Sequence, residues 1–476
     1  MKALKIERIE ADFMKKETRR SIIRISKLFY YVVAVLLFAY VWFEHYNSYL
    51  IASSPRRFGV AFVGVYCLFF HFLVRTYEGL TVGVSKVSEL VYSLSLASVI
   101  CDCIMFVIAW LLNNIFPPVL PMVALFGVQV LFSALWVVLS DLLYFKIYKV
   151  RKAVAIYFDN RDYERLVDLN SVSRKFRVER KICVTGEVDQ SVLDQLEGMD
   201  AVFVRGLPAN ERNDILKHCV QNGIEVYLWP KIGDVLIAGA EHTQMFHVPM
   251  MYLRRYSPNL EYLLVKRAFD IFVSLLGIII TLPFMALTAL AIKLHDGGPV
   301  LYKQVRLTKD EREFKILKFR SMRVDAEKDG VARLSTGDAD DRVTPVGKVI
   351  RAIRFDELPQ LFNILKGDMS IVGPRPERPE IAAQYVEQMP EFRLRLQAKA
   401  GLTGYAQVYG KYNSLPYDKL QMDLLYISNP SFLEDIRIMF ATVKILFLKE
   451  SPEGVAEGQI TASACDESEK EESGVL

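Results

Sequence analysis

The sequence predicts a membrane protein in three parts: a four-helix transmembrane N-terminal region, an α/β middle domain, and an α+β C-terminal domain that begins with a re-entrant membrane helix. Three observations carry this. Hydrophobic residues make up 52% of the 476 and mean hydropathy is positive, too apolar for an ordinary soluble chain of roughly two to four domains. Four long apolar runs precede residue 150 and one follows at Ile271 to Ile292, each near the length a helix needs to cross a bilayer. Between them, short β-branched runs alternate with amphipathic stretches, the order of a βαβ unit. The expected divisions are 1–150, 151–250 and 251–449, with a tail at 450–476.

Residues 1 to 20 are charged and lack an apolar core followed by a small-residue cleavage site, so a removable signal peptide is not expected. The four spans are Leu28 to Phe43, Phe58 to Val74, Leu90 to Leu112 and Val119 to Phe145. Arg75, Lys86, Lys146, Lys149, Arg151 and Lys152 fall on the same side as the basic N-terminus, while Asn113 to Pro121 carries no charge. The positive-inside rule therefore places both the N-terminus and everything after Lys146 in the cytoplasm, with Arg56 and Arg57 as the exception. Basic clusters beside apolar runs fit an anionic membrane face; no nucleic-acid partner is expected. Asp102, inside the third span, is either a functional acid or one end of a helix–helix hydrogen bond. The six cysteines, Cys67, Cys101, Cys103, Cys183, Cys219 and Cys465, show no metal-binding spacing and read as reduced.

In the middle domain, Val154 to Phe158, Lys181 to Val184, Ala201 to Val204 and Glu225 to Leu228 read as strands. Helices are expected near Asp162 to Asn170, Gln190 to Glu197 and Asn210 to Asn222, giving a Rossmann-like order. The first strand runs into Asp159-Asn160-Arg161 without the glycine-rich turn that would let backbone approach a pyrophosphate. A spacer, assembly or regulatory role is therefore favoured over nucleotide binding.

Lys266-Arg267 opens the last apolar run, which includes Ser274 and ends at Lys293. A full crossing would carry Lys303, Arg306, Lys309, Lys315, Lys318 and Arg320 to the outer face. Pro283 deletes a helix hydrogen bond, and a hairpin broken there would enter and leave on the cytoplasmic face. After the turn Asp296-Gly297-Gly298-Pro299, the runs Val300 to Val305 and Glu313 to Lys318 read as a hairpin whose basic residues suit phosphates or lipid headgroups. Asp325 to Asp341 reads as a polar loop, with Asp340 and Asp341 left open between solvent and site.

The stretch RAIRFDELPQLFNILKGDMSIVGPRPERPE, Arg351 to Glu380, concentrates acids, arginines and rigid turns. A helix is expected to begin at or near Asp356, since Pro359 is tolerated only in a first turn. A helix start favours ionised carboxylates and attracts phosphate, although Asp356 as a plain N-cap beside a solvated Glu357 explains the pair equally simply. Gly373-Pro374-Arg375-Pro376 is a stiff bend that fixes the direction of Arg375, and Arg378 follows. Guanidinium forks suit phosphate oxygens; two surface arginines are the alternative. Thr403 and Gln407 are polar contacts or parts of a structural turn. Asp418 to Ile427 and Phe432 to Leu448 read as helices, the second apolar enough to lie along a membrane, and the acidic tail is expected to be disordered.

The run DELPQLFNILKGDMSIVGPRPE, with KFRSM (Lys318 to Met322) and GLTGYAQVYG (Gly401 to Gly410), resembles the bacterial sugar transferases, the monotopic phosphoglycosyl transferases. The resemblance covers about Lys266 to Leu448. It implies transfer of a sugar 1-phosphate from a nucleotide sugar, with uridine as the suggested base, to undecaprenyl phosphate at the cytoplasmic face of the bacterial inner membrane, releasing a nucleoside monophosphate. The multi-helix N-terminus resembles the long forms that start exopolysaccharide and O-antigen repeats. By the same resemblance the membrane helix breaks near a proline, Asp356 is the nucleophile, and Glu357 assists with metal or acceptor. The resemblance also implies Mg²⁺ bound by Asp356 and Glu357. Arg375, Arg378, Lys318 and Arg320 hold phosphate, and Lys266, Arg267, Ser274 and Pro283 belong to the membrane hairpin. The family usually has proline where this chain has Ala400. A homodimer through the extra domains is the expected assembly.

Overall fold

A computed structural model describes residues 2–47, 55–113, 116–159, 175–256, 258–324, 326, 342–410 and 415–446. The helix expected near Asp162 to Asn170, the acids Asp340 and Asp341 with nearly all of their loop, and the tail lie outside the described residues. The chain divides into two compact units, Met1–Trp229 and Pro230–Leu476.

The first unit opens with α1 (Lys2–Val41), continued by a π-helical turn at Trp42–Tyr46, then α2 (Pro55–Thr76), α3 (Val87–Asn113) and α4 (Leu120–Ile147). All four are long and apolar enough to cross a membrane. They pack on one another through rings and small hydroxyls: Phe38 stacks on Tyr66 at 3.8 Å and Trp42 on Phe62 at 4.0 Å, and the Tyr30 hydroxyl meets Ser133 Oγ at 2.9 Å. Leu68, Leu120 and Leu131 point outward, as lipid-facing positions do. Asp102 is buried in α3, and Gln129 on α4 donates to the Tyr66 hydroxyl at 3.1 Å.

The remainder of this unit is a parallel four-stranded sheet in the order β2-β1-β3-β4. Its strands are β1 (Arg151–Tyr157), β2 (Phe176–Cys183), β3 (Ala201–Arg205) and β4 (Glu225–Leu228), with α5 (Gln190–Asp194) and α6 (Ala209–Gln221) between them. Strand β3 is buried at every position, the mark of a parallel strand covered on both faces. Val154, Ile156, Val202 and Val204 face one core, while Ala153, Ala155, Ala201 and Phe203 face the other.

The second unit begins earlier than residue 251, because α7 (Ile232–Ala238) puts Ile232 and Val235 into the core that holds Leu420 and Leu424. It continues with the hairpin β5 (Glu241–Met245) and β6 (Val248–Tyr252), then α8 (Leu260–Asp296) and the hairpin β7 (Leu301–Leu307) and β8 (Glu313–Phe319). Next come α9 (Pro345–Ala352), α10 (Gln360–Lys366), β9 (Ser370–Val372), α11 (Pro379–Gln388) and β10 (Gly401–Thr403). The chain closes with α12 (Tyr405–Tyr409), α13 (Pro416–Ser428) and α14 (Phe432–Leu446). Strands β9 and β10 pair in parallel.

Helix α8 runs unbroken through Pro283 instead of splitting into two arms there, so any return to the entry face comes from a bend within one helix. Its buried residues Asp270, Ser274, Ile278, Met285, Thr288 and Ile292 recur at helical spacing on both sides of the proline, a single stripe. Val273 and Ile278 pack with Leu361 and Ile364; Met285 and Ile292 pack with Phe319 and Ile350. The opposite face, including Phe272, Ile279, Leu287 and Leu294, is exposed. Polar partners fasten the inner face. Asp270 accepts the Ile371 N–H at 3.0 Å, Lys266 reaches Asp435 at 2.9 Å, and Arg267 donates to the carbonyls of Ile364 and Leu365 at 2.6 and 2.7 Å. Those carbonyls lie in the last turn of α10, where i→i+4 partners run out; the Ile364 carbonyl also accepts the Gly367 N–H at 3.0 Å. Lys266 and Arg267 are thus occupied inside the domain.

Candidate functional site

The site is built where α9 hands over to α10. Thr344 caps α9, accepting from Gly347 N–H at 2.9 Å, with Pro345 in the first turn. Arg354 then adopts a left-handed conformation at φ +54°, a turn that costs a non-glycine residue about 1 kcal/mol. It swings the chain into a 3₁₀ turn, Phe355–Glu357, which carries both acids. The α-helix proper starts four residues later than expected, at Gln360, because Asp356 and Glu357 are spent on the tight turn and Pro359 takes the flanking position. Asp356 is buried. At the far end Gly367, at φ +96°, closes α10.

Glu357 is the electrostatic centre. One of its oxygens lies 2.7 Å from Lys318 Nζ on β8 and 3.6 Å from Arg375 Nη2. Burial alone would push this carboxyl up, but the Lys318 ammonium and the Arg375 guanidinium, with Arg354 beyond, outweigh it and hold Glu357 well below the usual carboxylate range. The three side chains line a small cleft with Arg306, Ile316, Gln360, Pro376, Gly401, Leu402 and Gln407. A small pocket lined by two arginines and a lysine around one carboxylate suits an anion flanked by a cation.

The glycines of the two motifs are set by backbone contact. A Cβ on Gly373 would lie 2.2 Å from the Lys399 carbonyl, and one on Gly401 2.1 Å from Gly373 N, so the bend carrying Arg375 packs directly on the strand carrying Thr403. Ala400 keeps an N–H that proline lacks and donates it to Thr308 Oγ1 at 3.1 Å, replacing ring stiffness by a buried hydrogen bond.

Of the residues singled out from sequence, Glu357, Lys318, Arg375 and Gln407 meet in the cleft, with Asp356 adjoining. The others do not reach its lining. Arg320 pairs with Asp296, Thr403 shares a 2.6 Å hydrogen bond with Thr442, and Arg378 lies 3.8 Å from Glu380. Ser274 is fully buried in α8. Sequence reading passed over Gln360, whose place in the first turn of α10 follows only once the helix start is known, and gave Arg306 no specific part. Burial disfavours the charged form of the Arg306 guanidinium, although Glu377 favours it.

Among the described residues no three His, Cys, Asp or Glu side chains converge to hold a metal. A hard cation such as Mg²⁺ needs only one or two carboxylates when phosphate and water oxygens complete its shell. Asp356 and Glu357, the latter held in the anionic form a metal requires, fit that donor set.

Comparison with known proteins places the same region in a family. The model of the bacterial sugar transferase family matches residues 261–449. Over 241 residues the chain is 38% identical to the UDP-N-acetylgalactosamine-undecaprenyl-phosphate N-acetylgalactosaminephosphotransferase of Aeromonas hydrophila, covering 50% of this chain and 56% of that one. Over 280 residues it is 37% identical to the undecaprenyl-phosphate glucose phosphotransferase of Komagataeibacter xylinus, covering 54% and 51%. The matched stretch thus spans about half the length of these two relatives. Against the exopolysaccharide production protein PSS of Rhizobium leguminosarum bv. phaseoli, identity is 43% over 192 residues, 38% of this chain and 94% of the relative.

Proposed function

The chain belongs to the bacterial sugar transferase family, and on that premise we propose that it transfers a sugar 1-phosphate from a UDP-hexose to undecaprenyl phosphate, releasing UMP. This is the first membrane step of exopolysaccharide, capsule or O-antigen repeat synthesis. The reaction runs at the cytoplasmic face of the bacterial inner membrane, with α1–α4 as spans, α8 as a re-entrant helix bent within its length, the parallel sheet as a Rossmann-like accessory domain, and the protein as a homodimer.

The observation that carries this reading is the pair of acids on one tight turn, with Glu357 held ionised by Lys318 and Arg375 in the lining of a cationic cleft. In the first half-reaction a carboxylate oxygen of Asp356 attacks the phosphorus attached to the sugar. The bond from that phosphorus to the bridging oxygen breaks, and UMP leaves with the electron pair. In the second, a phosphate oxygen of undecaprenyl phosphate attacks the same phosphorus and the Asp356 carboxylate is released. Splitting one displacement into two is the advantage of a covalent nucleophile. Arg375 and Lys318 neutralise the diphosphate, and a preorganised cation in a partly dry site stabilises charge that develops on the leaving oxygen. Glu357 keeps the two cations in place. Mg²⁺, held by Asp356 and Glu357, would supply further charge neutralisation on the pyrophosphate. The acceptor reaches the cleft from the bilayer against which the exposed face of α8 lies.

The test is release of UMP from a panel of UDP-sugars by the purified full-length protein with Mg²⁺ and undecaprenyl phosphate. The expected result is release with one sugar preferred. No release from any sugar would refute the proposal.

A further inference from the structure

The bend Pro374 to Glu377 is held in an unusual way: four consecutive carbonyls each accept a hydrogen bond from a separate donor. Gly401 N–H donates to Pro374 O at 2.9 Å, Arg395 Nη2 to Arg375 O at 3.0 Å, Arg306 Nη1 to Pro376 O at 3.1 Å, and Leu307 N–H to Glu377 O at 3.0 Å. Two of these donors are backbone, and Arg306 itself lines the cleft. Arg395 alone acts from behind, as a side chain absent from the lining.

Its surroundings are built for that task. Arg395 sits in the 3₁₀ segment Pro390–Gln397 with 3% of its side chain exposed. Nε and Nη2 reach Asp423 Oδ2 at 2.8 and 2.7 Å, Nη1 faces Glu377 Oε1 at 3.4 Å, and the guanidinium lies 4.8 Å from the Phe392 ring centroid. A buried ion pair adds little net stability over well-packed apolar side chains, because desolvation offsets the attraction. What an arginine adds here is geometry. Its rigid fork spans a carboxylate on α13 and the carbonyl of the very residue whose own guanidinium lies beside Glu357.

We infer that Arg395, braced by Asp423, is a positioning residue that fixes the backbone of Arg375 and so aims the Arg375 guanidinium at the substrate diphosphate beside Glu357. The inference rests on the proposed transfer for its kinetic consequence, but not for its structural one, and the two are tested apart.

Arg395→Lys keeps the charge and the pairing with Asp423, yet a single ammonium cannot also span to Glu377 and the Arg375 carbonyl. In the detergent-solubilised full chain, hydrogen–deuterium exchange is expected to rise in the segment 373–380 and to stay unchanged in the core strands and helices. Unchanged exchange in that segment, or a rise throughout the second unit, overturns the inference whether or not the protein transfers sugar phosphate. Kinetically, Arg395→Lys is expected to lower kcat/KM for the UDP-sugar by about tenfold or more, since a displacement under an ångström is costly in an oriented site. In an Arg375→Ala background it should cost almost nothing further. Equal losses in both backgrounds would show that Arg395 does not act through Arg375. Should Arg395→Lys fail to fold, Asp423→Asn, which keeps side-chain shape and one acceptor oxygen, is read by the same exchange and the same cycle, with the same outcomes deciding. Absence of UMP release from the wild type would refute the proposed function and leave the exchange result to decide the role of Arg395.

Discussion

Two carboxylates of the second unit, each paired with a lysine, serve opposite ends. Glu357 is met by Lys318 and Arg375, Asp435 by Lys266, Tyr262 and Tyr426 at 2.9, 2.9 and 2.7 Å. Around Asp435 every partner is buried or nearly so, and the cluster ties the entry of α8 to α13 and α14. Around Glu357 one partner, Arg375, keeps 41% of its side chain exposed, and the group opens on a cleft. Closed, the arrangement anchors; open, it leaves a cation, Arg375, accessible to a ligand from the cleft. The partners differ in type, an arginine at one and two tyrosines at the other, and above all in exposure, and substitutions separate the two.

The largest effect is expected at the open site. Asp356→Asn should lower UMP release by more than about 10³-fold, as loss of a nucleophile does, with the unfolding temperature little changed. Glu357→Gln should cost about 10²-fold in kcat, the scale for loss of one preorganised electrostatic group. Comparable activity in either variant would place the chemistry elsewhere. Asp435→Asn should do the reverse: about 3 kcal/mol of destabilisation from stranding Lys266 in a buried site, read by denaturation, with turnover per folded molecule preserved. A fall in turnover with stability intact would erase the distinction between anchor and site.

The smallest effect concerns pH. Because the folded-state Glu357 is depressed below its usual 4.5, its contribution to stability is complete above that value and is lost only as pH falls further, toward the folded-state titration. Its ionisation therefore sets no acid limb of activity near neutrality. Lys318→Met removes the nearest cation and leaves burial opposed only by Arg375 and Arg354, so the acid limb of kcat should move upward. A pH profile of unchanged shape in that variant would show that Lys318 does not control Glu357.

Much of this was legible in the sequence, for reasons that differ by element. The four N-terminal helices and the strands of the parallel sheet follow from local periodicity; most ends fell within a few residues, but α1 begins at Lys2, far ahead of the apolar run expected from Leu28, and β2 begins at Phe176, five residues before the expected Lys181. Glu357, Lys318 and Arg375 stood out because charge and proline-fixed bends occurred together in short motifs. What stayed hidden depends on distant pairing. The role of Lys266 is fixed by Asp435, 169 residues away, so its charge read only as the flank of a membrane hairpin when it is an internal tie. Arg395 carried no local signal, since its meaning lies in Asp423 and in the carbonyl of Arg375. The late start of α10 turns on the left-handed Arg354, a conformation that no residue preference announces. Helix α8 matched the spans in hydropathy, and only its buried stripe of Asp270, Ser274 and Thr288 marks it as a helix laid against a folded domain.

The central claim, that Asp356 carries the sugar phosphate, is tested most directly by incubating the full-length protein with Mg²⁺ and the preferred UDP-sugar while withholding undecaprenyl phosphate, then mapping peptides by mass spectrometry. A sugar-phosphate adduct on the peptide containing Asp356, discharged when undecaprenyl phosphate is added and absent in Asp356→Asn, is the expected result. UMP released without any adduct, or an adduct on another residue, would contradict it.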